Sequence, residues 1–301
     1  VIMPATRERC DGKVSNCSFV ELLSSQPQRP EWYVSHWWGE PVRDFYRCLS
    51  LHAEQRHLGM NSSPYWVCAY ANRQHALQDE LVADPTASSF FRAMQVAQGV
   101  VLVVDSQTDA TKPAMVFRRI WVQFEKTMTF RLQDEREFKF DMVTMAADGS
   151  AQLLADGPTE ADRASKLLVQ CRKTKREKLF PVEIVAGALR EQLQDAEASC
   201  EDDRRRILNC VAGRPLEELP LTTHESYAEV DMRLHAMLAV AVWPQAAMKG
   251  LVRHMRLVDA LRGDKSRQAC VLSLDSNDVI QDTRDLGEAL RGLTSLRKLS
   301  L

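Results

Sequence analysis

The sequence predicts an α/β domain on a doubly wound, mostly parallel sheet, followed by a helical bundle region and the start of a repeat. Three observations predict this. Strand and helix patterns alternate over residues 31–150. From about residue 158 helical periodicity takes over. Near the end, two short leucine-bearing strand patterns recur 27 residues apart, Leu272 matching Leu299. At 301 residues and 45% apolar content the chain can bury a sizeable core.

Residues 1–30 mix Pro, Ser, Gln and charge with little periodicity and read as a disordered leader. Residues 32–37 form a first apolar strand, broken at Gly39. Val42, Phe45, Tyr46, Leu49 and Ala53 follow at helical spacing. Residues 65–70 read as a second strand and 76–82 as a short helix ending near Asp84-Pro85. Ser88 or Ser89 can cap a helix carrying Phe90, Phe91, Met94 and Ala97. The unbroken Val/Leu run 100–104 is the pattern of a central strand covered on both faces. Pro113 suits a first helical position, and Phe117, Ile120, Trp121, Phe124 and Met128 make one apolar stripe. Residues 138–145 supply a further strand before Asp148-Gly149.

Right-handed crossovers between such strands wind the sheet on both faces and place ligand sites at the carboxyl ends of its strands. Beyond this α/β region, residues 151–265 read as helices over 158–171, 182–196, 201–212, 225–242 and 246–261. The basic stretch 172–178 reads as a solvated connector, with an anion-binding patch as the alternative.

A net charge of −2 and a pI near 6.4 argue against nucleic acid or an anionic membrane as the main partner. The longest apolar region, 237–243, is far too short to cross a bilayer, and the N-terminus carries no signal pattern. Eight scattered cysteines without a Cys-x-x-Cys pair fit reduced thiols, and a cytoplasmic location is expected. The chain begins without Met and ends within the repeat, as a fragment would. Cys48, His52, His57, Cys68 and His75 lack the paired regularity of zinc modules, so no metal is expected. Serine-hydrolase elbows and phosphate-binding Gly-Lys loops are absent.

The junction after the first strand reads Ser35-His36-Trp37-Trp38-Gly39-Glu40-Pro41-Val42-Arg43, and a later helix carries Trp121 and Glu125 at i, i+4. Ser35, then Gly39-Glu40-x-x-Arg43, then Phe45 resembles the first strand and loop of Toll/interleukin-1 receptor (TIR) domains. Trp121-x-x-x-Glu125 resembles their later helix, with Val122 where that family commonly has Cys. One extra residue separates Ser35 from Gly39, and the double tryptophan departs from the family pattern.

The resemblance covers residues 31–145 and implies a flavodoxin-like fold, self-association and, in members that cleave NAD, catalysis by the glutamate at position 125. It also assigns Asn72 and Arg73 to a loop that mediates association or gates the pocket, and a solvated turn is the alternative there. No cofactor is implied; NAD would be the substrate. Residues 266–301, with Leu286, Leu290, Leu293 and Leu296 between the two strand patterns, resemble the start of a leucine-rich repeat, through which protein partners are expected.

The chemistry can be argued apart from the family. Nicotinamide leaves NAD as a neutral ring, so the bond needs no general acid. It needs a carboxylate beside the developing oxocarbenium ion. At 100° per residue, Glu125 falls about 80° from the centre of the apolar stripe, at the core boundary beside Trp121. The plain alternative is a boundary glutamate paired with Arg118 or another surface cation. His36, Trp37 and Trp38 could stack on a base and Arg43 could hold a phosphate, or the tryptophans could simply pack. Two other functions stay open: a non-enzymatic adaptor, and another nucleotide- or nucleoside-processing enzyme with carboxylates converging near Asp105.

Overall fold

The computed structural model describes residues 1–7, 17–59, 62–77, 82–106, 114–252, 255–263, 270–273 and 296–300. Its main sheet has five strands in the order β2-β1-β3-β4-β5. Strands β1 (Trp32–His36), β2 (Tyr65–Val67), β3 (Gly99–Val104) and β4 (Lys139–Met145) are parallel, and β5 (Ala151–Leu154) is an antiparallel edge. All six residues of β3 are buried, as its apolar run requires of a strand covered twice.

Among the described helices, α1 (Ile2–Ala5) and α2 (Phe19–Leu23) lie in the segment expected to be a disordered leader. Helix α3 (Val42–Gln55) covers one sheet face, with Cys48 packing among Val34, Val101 and Val143. Helix α4 (Cys68–Ala71) follows β2 directly, so the strand expected to reach residue 70 ends at Val67. Helix α5 (Ser89–Val96) starts where Ser88 Oγ accepts the Phe91 N–H. It lies with α6 (Ile120–Glu135) on the other face, over Tyr33, Val100, Leu102 and Phe140. The short helix expected at 76–82 lies partly, and Pro113 wholly, outside the described residues. The stretch before α6 is instead a 3-10 turn, Met115–Arg118, whose first amides donate to the Asp105 carboxylate at 3.0 and 3.1 Å.

The β4–β5 hairpin was not expected. It turns at Gly149 with φ 79°, and the Asp148 carboxylate accepts the Ser150 N–H at 2.9 Å. Beyond it run α7 (Glu160–Arg163), α8 (Val169–Glu177), α9 (Val182–Ala188), α10 (Glu201–Ala212), α11 (Glu225–Met248) and α12 (Leu257–Gly263). The basic stretch 172–178 is therefore mostly helical rather than a connector. Its charges are answered by Lys173–Glu177 and Arg176–Asp162 pairs, which let Thr174 and Glu177 be buried. The helix expected over 182–196 breaks into α9 and a 3-10 turn, Leu193–Asp195, while α11 runs on through Pro244. None of these helices is long and apolar enough to cross a membrane.

Helix α6 is buried on almost every side, because α10 and α11 pack on the flank that faces away from the sheet. Tyr33 of the sheet, Phe180 and Trp243 of α11 belong to one continuous apolar cluster. Buried polar residues of α6 find partners: Lys126 Nζ lies 3.1 Å from Asp231, and Thr127 Oγ1 donates to the Gln123 carbonyl, while the Gln123 side-chain oxygen has none among the described residues. On the α3 face, Arg56 grips Asp141 with two bonds of 2.7 Å, and His52 Nε2 lies 3.0 Å from the same carboxylate. Strands β6 (Cys270–Ser273) and β7 (Leu296–Ser300) pair in parallel, Leu272 opposite Leu299, with the offset anticipated above. Leu286, Leu290 and Leu293 lie outside the described residues.

Candidate active cleft

The strand order reverses direction at β1, so a crevice opens at the carboxyl ends of β1 and its neighbours. Period-two alternation sends Tyr33 and Ser35 to the α6 face, where they meet Glu125. Tyr33 Oη donates to Glu125 Oε1 at 2.5 Å, and Ser35 Oγ donates to Oε2. Glu125 is 4% exposed and borders a cleft of about 430 Å³ together with His36, Trp37, Trp38 and Trp121. Arg118 pairs with Glu197, so the alternative in which it would pair with Glu125 does not hold.

The rings are ordered around this carboxylate. Tyr33 stacks on Trp66 at 4.9 Å, Trp66 meets Phe90 edge-on, and Phe90 stacks on Trp121 at 5.1 Å. Trp121 Nε1 donates to Asp203 at 3.1 Å. Trp37 lies across Gly39, where an added Cβ would stand 2.2 Å from its ring atoms, so this turn accepts only glycine with the indole in place. Trp38 is 61% exposed and donates its indole N–H to Cys68 Sγ at 3.1 Å. Glu40 faces a smaller neighbouring space of about 160 Å³.

Burial pushes the Glu125 carboxyl up to about 7, against the opposing pull of the Ser35 and Tyr33 hydroxyls. Burial, reinforced by the Asp105 and Asp44 charges, brings Glu40 to about 7 as well. Burial lowers His36 to about 4, leaving it neutral near pH 7. Burial and the nearby Glu125 raise Cys68 to about 12, which keeps its thiol protonated.

The cleft thus gathers His36, Trp37, Trp38, Trp121 and Glu125, with Ser35 behind the carboxylate and Gly39 beneath an indole. Arg43 is exposed on α3 and is not among the residues lining it. The arginine at the cleft is Arg119, and Ser199 and Asp203 bring the helical region into the same wall. Sequence reasoning missed these three, whose placement is tertiary. It also missed Tyr33, which its period-two relation to Ser35 could have revealed. Asp105 accepts the Met115 and Val116 amides, and its charge lies close enough to Glu40 to help raise that carboxyl. Among family models, curated proteins and solved structures, none matches the chain.

Proposed function

We propose that this chain is a TIR-like signalling or defence-type protein whose cleft hydrolyses the nicotinamide glycosidic bond of NAD. One observation carries the reading: a buried carboxylate, held by two hydroxyls from one strand, borders a cleft beside three indoles. About 430 Å³ falls within the usual range of ligand pockets, roughly 300–1,000 Å³.

As the bond from C1′ to the nicotinamide nitrogen breaks, its electron pair passes to the ring and positive charge develops on the ribose. Ionised Glu125 stabilises that charge, water adds to C1′, and a proton is released. The two hydroxyls hold the carboxylate, so little reorganisation is needed as charge develops. Neutral His36 adds no opposing positive charge.

The strand order supports a flavodoxin-like layout, and the 27-residue offset of β6 and β7, Leu272 to Leu299, supports the opening of a leucine-rich repeat. A cytoplasmic location belongs to the same reading. An adaptor role is the second reading, favoured by Val42 and Tyr46, exposed one turn apart at the start of α3, and by the exposed Trp38 in the turn before it. Self-association through such a face is compatible with both.

The test is nicotinamide release from NAD at about pH 8. Wild type should release it, and Glu125→Gln should be slower by about 10²–10³-fold, the scale of one electrostatic stabiliser. Equal rates would remove Glu125 from the reaction. No release from a demonstrably oligomeric sample would favour the adaptor.

A further inference from the structure

Arg118 and Arg119 are adjacent, yet their charges are treated differently. Arg118 is neutralised by Glu197. Arg119, half-buried in the cleft wall, donates to the neutral Ser199 hydroxyl at 2.9 Å and makes no ion pair among the described residues. Asp203 lines the same cleft, but its carboxylate takes the Trp121 indole N–H instead. A guanidinium on the cleft wall without a counter-charge can pair with an anion that enters the cleft.

Its position adds meaning. The Arg119 backbone is fixed by the bridge to Glu197, and the Ile120 N–H donates to the Glu197 carbonyl at 2.9 Å. Arg119 therefore stands at the positive end of α6, where the helix dipole adds to its charge. Six residues separate it from Glu125, about 9 Å along the helix at 1.5 Å per residue. One cleft thus presents a carboxylate for a cationic sugar and, roughly a nucleotide's length away, a cation for an anion.

We infer that Arg119, with Ser199, is a phosphate-recognising specificity site that selects 5′-phosphorylated pyridinium nucleosides over the unphosphorylated nucleoside. This rests on the glycosidic reading above for the identity of the ring, but the anion site itself can be measured without turnover. With the ribose at Glu125, the 5′-phosphate reaches toward the guanidinium, which binds it through paired N–H donors. The helical region, by contributing Ser199, completes the nucleotide cleft.

Binding of nicotinamide mononucleotide and nicotinamide riboside would be measured by calorimetry on Glu125→Gln, which suppresses turnover, and on Glu125→Gln/Arg119→Met. The mononucleotide should bind about 10- to 100-fold more tightly than the riboside, as expected for a charged hydrogen-bonded contact, and Arg119→Met should erase that preference while leaving riboside affinity in place. Arg119→Lys should recover part of the preference, which shows charge recognition rather than a folding defect. Equal affinities for the two ligands, or a preference that survives Arg119→Met in a folded protein, would overturn the inference, as would no binding of either. Arg119-dependent mononucleotide binding without nicotinamide release by wild type would keep the anion site and remove the hydrolase reading.

Discussion

Replacing Glu125 with Gln should stabilise the protein at alkaline pH. The carboxyl rises from an ordinary 4.5 to about 7 because it is buried, so the folded state binds its proton more tightly than the unfolded chain does. This contribution to stability is fully present below about pH 4.5 and is lost as pH rises through about 7. A shift of about 2.5 units corresponds to about 3 kcal/mol well above pH 7, and roughly 2 kcal/mol of it accrues between about pH 5.5 and 8.5.

Glutamine keeps the volume, accepts from Ser35 and can donate to Tyr33, so it removes the titration with little change in packing. Urea unfolding of wild type and Glu125→Gln at both pH values gives two stability differences. Their change with pH isolates Glu125 from any constant packing offset. Tyr33 and Cys68, its titratable neighbours, are both raised and stay protonated over this window. The variant should gain about 2 kcal/mol on wild type from the lower to the higher pH. A difference that does not vary with pH would refute the claim that Glu125 is held near neutrality by burial.

Ser35→Ala removes a donor that favours the ionised carboxylate, so the pH midpoint of nicotinamide release should move upward by about 1–2 units; an unmoved midpoint would separate Glu125 from the titration that controls the rate. Arg56→Met strands a buried carboxylate and should cost about 3–5 kcal/mol in urea unfolding. Although burial alone would raise Asp141, its bonds to His52 and Arg56 hold it below the ordinary carboxylate range. Its contribution is therefore present above its unfolded value, about 3.9, and wild type should lose stability on acidification below that value with a slope missing in Asp141→Asn. Gly39→Ala should displace the Trp37 indole, cost roughly 1–3 kcal/mol and change tryptophan fluorescence; unchanged emission and stability would show that the ring does not rest there.

Where neighbours along the chain supply the physics, the sequence was readable. Ser88 caps α5 with its own hydroxyl, the Val/Leu run makes β3, and Glu201–Ala212 forms the helix its pattern announced, with three acidic residues in its first turn. The β4–β5 hairpin has a local signal in Asp148-Gly149 followed by Leu153-Leu154. At the cleft, the sequence singled out Glu125, Trp121 and the double tryptophan, but assigned the arginine to position 43 because Arg43 lies close to the loop along the chain. In space, Arg119 lies closer.

By itself the sequence determined the alternation that builds a parallel sheet, the carboxyl edge where a cleft can form, and a glutamate one helical turn from a tryptophan. The tertiary structure decided the environment of that glutamate. Its helix reads as an amphipathic surface element because periodicity reports only the face turned toward the sheet. The second covering, from α10 and α11, comes from residues about 80 to 105 positions later, as the Trp121–Asp203 and Lys126–Asp231 contacts show. Burial on both flanks turns a boundary carboxylate into one that titrates near 7, and desolvation of that kind depends on contacts that no local pattern encodes.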